Sequence, residues 1–327
     1  MKKVLLIAYH FPPLAGSSGI QRSLRFAQQL PQFGWQPLVL SAHPRAYERC
    51  SDELLDQIPP GMPVRRAFAL DAARHLSLRG RYAGFTARPD RWVSWRFDAL
   101  RQGLAMIREF RPDAIWSTYP IATAHLIGRG LMQRSGLPWI ADFRDPMAQD
   151  GYPSDPKVWQ SFKDIESTAL AEARFCTFTT PSAARGYGLR YPAAAERIAT
   201  LENGYDEESF AGLGEFERKP LNPGALTLLH SGIVYPEERD PTQLIEALAL
   251  LAARGQIAPG RFRLRFRAAV HEQLLRDLAT RHGVADYIEL LPPLPYTEAL
   301  REMMCADALL VLQAANCNEQ VPAKLYE

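Results

Sequence analysis

The segment Tyr9-His10-Phe11-Pro12-Pro13-Leu14-Ala15-Gly16-Ser17-Ser18-Gly19 sets glycines and serines between an apolar run, Val4 to Ala8, and a stretch of helical periodicity. Bare N–H groups at such a junction are a natural seat for a phosphate or a sugar hydroxyl, because a helix N-terminus carries unsatisfied donors and partial positive charge. Gly16, Ser17, Ser18 and Gly19 are candidates for that role. Ser18 suits a plain N-cap equally well, and His10 could reach a ligand from within the loop. The loop is too long and too rich in proline for the Gly-x-Gly-x-x-Gly turn of a dinucleotide-binding unit, which argues against an NAD enzyme. Metal chemistry has little support: the chain has no Asp-x-Asp pair, and His271-Glu272 is followed by Leu275 and Arg276 rather than by the second histidine of a zincin helix. Cys50, Cys176, Cys305 and Cys317 form no Cys-x-x-Cys pair, so reduced thiols in a cytoplasmic protein are expected.

A second grouping is electrostatic. Residues 1–150 carry 20 Lys+Arg against 12 Asp+Glu, a balance of +8, whereas residues 151–327 carry 18 against 24, a balance of −6. Eleven arginines and four acids lie between Gly61 and Arg111, interleaved with Phe68, Tyr82, Phe85, Trp92, Trp95 and Phe97. Such a stretch suits anionic lipid headgroups, with cations at phosphates and aromatics at the interface; it equally suits a solvated, arginine-rich surface. Nucleic acid is not expected as a partner, since no recognition motif accompanies the charge.

The elements that must position these residues follow from apolar periodicity. Val4–Ala8 reads as a buried strand, and Ile20, Leu24, Ala27 and Leu30 as one helix face ended by Gly34. Strands at 38–40, 113–117, 139–143 and 176–179 alternate with helices marked by Phe97, Leu100, Leu104 and Ile107, by 121–134 and by 158–173. This βα repeat predicts a doubly wound parallel sheet with ligands at the carboxyl ends of its strands. The rhythm breaks near Asn203-Gly204, and residues 211–224 have linker composition. A second βα series then begins. Leu226–His230 reads as a strand, Leu244, Leu248 and Leu251 as a helix stripe, and Phe262, Leu264 and Phe266, alternating with arginines, as a half-covered strand; 288–291, a helix around Leu300, and 309–312 follow. The expected domains are 1–210 and 225–327. About 100 residues is short for the second, so it is expected to be incomplete, with a new helix starting at Lys324-Leu325-Tyr326. The longest uncharged apolar run, Ala247–Ala253, is too short to span a bilayer, and the N-terminus does not suit a signal peptide.

Several segments resemble, in order, the retaining family 4 glycosyltransferases of the GT-B fold. They are Phe11-Pro12-Pro13 with Gly16 to Arg22, Gly34-Trp35, Thr118-Tyr119-Pro120, Pro138 to Pro146, Thr180-Pro181-Ser182 and Glu202-Asn203-Gly204-Tyr205-Asp206. His230-Ser231-Gly232 to Pro241 and Val321 to Glu327 continue the series. The resemblance implies two Rossmann-like α/β domains facing a cleft. It further implies transfer of a hexose from a UDP- or GDP-sugar to a glycan or lipid-linked acceptor, with retention, without a metal or other cofactor, in bacterial polysaccharide biosynthesis. A cytoplasmic enzyme follows, possible also at the inner face of the membrane. A non-catalytic nucleotide- or glycan-binding relative is the alternative.

The same resemblance assigns roles. Glu319 would face the transferred sugar and Glu327 would accept hydrogen bonds from the ribose hydroxyls, as a carboxylate can from a vicinal diol. Gly232, Arg239 and Lys324 would hold the diphosphate, whose developing charge needs cations. Ile233 stands where relatives commonly have an arginine. Arg144 falls where many relatives have a histidine; a guanidinium cannot act as a base, so it would position or stabilise charge. Asp142 and Asp145 would be orienting partners, acceptor-site groups or buried ion pairs of Arg144.

Overall fold

The computed structural model describes residues 1–17, 19–205 and 207–326, with Glu208, Ser209, Asn316 and Ala323 described by backbone alone. The chain divides into two compact units, Met1–Asn203 and Gly204–Glu327.

In the first unit β1 (Lys2–Ile7), α1 (Gly19–Gln29), β2 (Trp35–Ala42), β3 (Val64–Ala67), a one-turn α2 (Ala72–His75), α3 (Trp95–Phe110), β4 (Ala114–Thr118) and α4 (Thr123–Ser135) follow in turn. After them come β5 (Trp139–Arg144), α5 (Pro156–Glu172), β6 (Phe175–Phe178), α6 (Pro181–Arg190) and β7 (Ile198–Thr200). The seven strands form one parallel sheet in the order β3-β2-β1-β4-β5-β6-β7. The order in which strands are added reverses between β1 and β4, the place where doubly wound sheets open a crevice at their carboxyl ends. The continuous apolar strands expected of a sheet covered on both faces are present: Leu5 and Ile7 belong to one core, Val4 and Leu6 to the other.

Helix ends follow local chemistry. Gly34, at φ +80°, closes the turn after α1 and donates its N–H to the carbonyls of Leu30 and Pro31. The Asp155 carboxylate accepts from the N–H groups of Lys157 and Val158 at the start of α5, and Thr180 caps α6 through the N–H of Ala183. The buried face of α1 contains Ile20, Leu24 and Ala27, as the periodicity predicts. In α3 the inward face is broader than the expected stripe, of which Leu100, Leu104 and Ile107 are half-buried against the core. Trp95, Ala99, Gly103 and Met106 are buried and Phe97 is exposed, because α3 lies so close to α4 that a Cβ on Gly103 would sit 2.6 Å from Leu131 Cδ1. Small residues, not large ones, make that contact.

The second unit holds α7 (Glu207–Ala211), β8 (Leu226–Ser231), α8 (Thr242–Ala253), β9 (Phe262–Arg267), α9 (Glu272–Arg281), β10 (Ile288–Leu291), α10 (Tyr296–Cys305) and β11 (Ala308–Leu309). Its parallel sheet has the order β10-β9-β8-β11, with a switch between β8 and β11. Two expectations are corrected here. Leu251 lies on the exposed side of α8, whose buried residues are Ile245 and Leu248. Two of the three arginines of β9 are turned from water: Arg265 and Arg267 are ion-paired with Glu302 of α10, and Arg265 also with Glu289, so α10 covers them with a charge network. Ala323–Leu325 forms a single 3-10 turn, not the start of an α-helix.

Candidate functional site

At the carboxyl edge of the first sheet, the loop after β1 folds back against the end of β5. Ser17 Oγ accepts the Gly19 N–H at 3.3 Å, so it caps α1, and lies 3.1 Å from His10 Nδ1. The Ser17 hydroxyl thus links the first N–H of α1 to the His10 ring. Burial, together with the nearby Arg144 guanidinium, pushes the His10 pKa down to about 3, so the ring is neutral at ordinary pH. A Cβ on Gly19 would lie 2.4 Å from His10 Nδ1 and 2.8 Å from Arg144 Nη1; only glycine lets both groups crowd the helix N-terminus. Gly16, at φ +82°, makes the preceding turn.

Arg144 sits where the β5–β6 register slips, and its backbone is left-handed at φ +59°. Its carbonyl accepts from the N–H and hydroxyl of Thr179, and its Nη1 donates to the Tyr119 carbonyl at 3.3 Å. Nε is buried without a partner. A non-glycine residue in this conformation, with an unsatisfied donor, is the kind of strain that clusters at working sites. Burial lowers the pKa of the guanidinium, while Asp145 and Asp142 favour its charge.

Asp142 is fully buried, and its ion pair is with Arg22, not with Arg144. Arg22 Nε and Nη2 donate to the two carboxylate oxygens at 3.3 and 3.1 Å; Thr118 and Thr177 hydroxyls add one bond each at 2.8 Å. The remaining donors of Arg22 reach the Leu201 and Glu202 carbonyls and Asn203 Oδ1. Asp142 is thus saturated and acts through Arg22, which ties α1 to β5 and to the last residues of the first unit. Sequence reading missed Arg22: its partners lie 120 and about 180 positions away, beyond any local pattern.

In the second unit the switch point lies beside Gly232, which follows β8 at φ +117°. A Cβ there would stand 2.6 Å from Lys324 Nζ, so the ammonium rests directly over the glycine backbone. His230 Nδ1 donates to the Leu310 carbonyl at 3.1 Å, leaving Nε2 to accept from Lys324 at 3.1 Å. Burial and the Lys324 charge push the His230 pKa down to about 4. Sequence reading quoted His230 but gave it no role; the signal was its place one residue before Ser231-Gly232. Arg239 stacks over Tyr235 at 4.9 Å and donates to the Ile233 carbonyl at 2.9 Å, while Asp240 caps Thr242. Glu319 is exposed. The structure therefore brings together His10, Ser17, Gly19 and Arg144 in one unit, and Gly232 and Lys324 in the other. Ser18, Asp206 and Glu327 lie outside the described residues.

Residues 18–204 match the model of the glycosyl transferase 4-like domain, and the chain belongs to that family. No curated protein matches it in sequence. Among solved structures it is similar to sucrose-phosphate synthase from Thermosynechococcus elongatus, with TM-score 0.62, 14% identity, and coverage of 94% of this chain and 75% of that one. It is also similar to Alr3699/HepE of Anabaena in complex with UDP and glucose, at 0.58, 14%, 94% and 73%. The N-terminal domain of Candida albicans trehalose-6-phosphate phosphatase gives 0.65, 12%, 96% and 77%. The fold is the GT-B type, two Rossmann-like α/β units.

Proposed function

We propose that the chain is a nucleotide-sugar-dependent hexosyltransferase. It takes a UDP- or GDP-hexose as donor and a glycan or lipid-linked hydroxyl as acceptor, in bacterial polysaccharide biosynthesis. One observation carries the reading: Lys324 held over Gly232 by a neutral imidazole, at the switch point of the second sheet. A cation seated there offsets the charge that develops on a departing nucleoside diphosphate, and Arg239 is the second cation for it. Glu319 serves the transferred sugar and Glu327 the ribose. On the acceptor side stand His10, Ser17, Ser18 and Asp145. Arg144 and the N–H groups around Gly16 and Gly19 stabilise negative charge, and Asp142 holds them in place through Arg22. Transfer proceeds with retention and without a metal, by domains bounded at about 1–210 and 225–327, at the cytoplasmic face of an anionic membrane.

Calorimetric titration of the full chain with UDP-glucose, UDP-galactose and GDP-mannose tests this reading. We expect heat with one of them, and Lys324→Ala to weaken its binding about tenfold or more, as a charge-assisted bond of ~1.5–3 kcal/mol implies. Absence of heat with every uridine and guanosine ligand overturns it. Arg239, turned to the Ile233 carbonyl, favours a second reading, a binding relative that performs no transfer; donor binding without hydrolysis or transfer selects it.

A further inference from the structure

Between α2 and α3 the chain makes an excursion that leaves large apolar side chains on the surface. Leu78 is 80% and Phe85 75% exposed, with Leu76 and Tyr82 also on the surface. The tip is a two-residue hairpin turn: Leu78 and Arg81 exchange backbone hydrogen bonds of 2.8 and 3.1 Å across Arg79-Gly80, both at positive φ, 51° and 77°. Asparagine or aspartate with glycine is the usual choice for this turn, and an arginine in left-handed conformation is disfavoured by steric crowding. Its presence makes sense by what it presents. The sequence from Ala72 to Pro89 contains four arginines and no acid. The two flanking acids are turned inward: Asp71 is buried beside Arg91, and Asp90 accepts from the N–H and hydroxyl of Thr123. Positive charge on the excursion is therefore not cancelled from within its own sequence, while the apolar side chains stand among the cations.

We infer that this excursion is a membrane-docking surface, in which Leu78 and Phe85 enter the headgroup boundary of an anionic bilayer and Arg79 and Arg81 meet lipid phosphates. It deepens the lipid-linked-acceptor reading, on which its purpose rests. Among the described residues no helix is long and apolar enough to cross a membrane; contact of this kind requires none. The interaction is electrostatic and apolar together, so it weakens with salt and does not vanish in it.

Sedimentation of the full chain with vesicles of phosphatidylcholine, alone or containing phosphatidylglycerol, reads it directly. Wild type is expected to pellet with the anionic vesicles and not with the neutral ones. The double variant Arg79→Gln, Arg81→Gln should bind roughly thirty-fold more weakly, at about 1 kcal/mol per cation near the surface. Leu78→Ser with Phe85→Ser should weaken binding in high salt as well as low. All these side chains are exposed, so thermal unfolding midpoints should stay at the wild-type value, which separates lost docking from lost folding. Equal binding to both vesicle types, no binding by wild type, or equal binding by the variants overturns the inference. Retention on polyglutamate without vesicle binding overturns it too, and assigns the surface to an acidic protein. No sugar donor enters the assay, so failure of the transferase reading leaves its result standing.

Discussion

The two units solve the same problem, holding charge at the carboxyl edge of a parallel sheet, in opposite ways. In the first, Asp142 and Arg22 neutralise each other, with two threonines and three further acceptors from residues 201–203 completing the set. In the second, Lys324 is aimed by His230, an imidazole that burial keeps neutral. The Asp142 carboxylate brings a countercharge to its arginine, whereas the His230 imidazole orients the Lys324 ammonium without bringing a charge of its own. The first cluster ties α1, β5 and residues 201–203 together, and the second sets an ammonium beside the Gly232 backbone.

Substitution of Arg22 breaks this contrast most forcefully. Arg22→Ala leaves Asp142 buried without its counter-charge, and removing one partner of a buried pair costs about 3–5 kcal/mol. Urea denaturation should register that loss in the midpoint. Arg22→Lys should recover only part of it, because an ammonium cannot span two carboxylate oxygens and three further acceptors. A midpoint unchanged in Arg22→Ala would show that the network carries no load. By contrast, Lys324→Ala should leave the midpoint near the wild-type value while donor affinity falls.

Acid sharpens the comparison from the other side. An unfolded histidine titrates near 6.5, whereas His230 in the folded chain resists protonation down to about 4. The folded pKa is depressed, so its contribution is fully present above pH 6.5 and is lost as pH falls toward 4. Over that window the unfolded chain binds more protons, and the shift is worth roughly 3 kcal/mol. Stability measured between pH 7 and 4 should decline less steeply in His230→Gln than in wild type. Parallel curves would mean that His230 is not held neutral by its surroundings, and the aimed-cation reading of Lys324 would lose its support.

These clusters also mark where sequence alone runs out. Continuous apolar runs made β1, β4 and β5 legible, and the stripe Ile20, Leu24, Ala27 made α1 legible, since burial on a fixed period leaves a local trace. The edge strands β3 and β7, four and three residues long, leave too short a trace to read. Phe97 misled because the close approach at Gly103 turns the face of Trp95, Ala99, Gly103 and Met106 inward, and Arg265 and Arg267 of β9 misled because their glutamates come from β10 and α10. Of the first site, the loop from His10 to Gly19 was visible as chemistry. Its meeting with Arg144 depends on a register slip at the end of β5, and the Arg22–Asp142 pair on contacts that only the folded sheet brings about.

The smallest expected effect probes the join between loop and helix. Ser17 Oγ caps α1 through the Gly19 N–H and hydrogen-bonds with His10 Nδ1. Ser17→Ala removes one cap, which costs about 1 kcal/mol, and leaves His10 Nδ1 without its hydroxyl partner. The imidazole is then free to take the other tautomer and turn its N–H toward the helix. Nuclear magnetic resonance of the His10 ring nitrogens distinguishes the two: wild type should show a single tautomer, and Ser17→Ala a mixture. Identical spectra would mean that the tautomer is set by Arg144 alone, and that the loop contributes a cap to the site but no orientation.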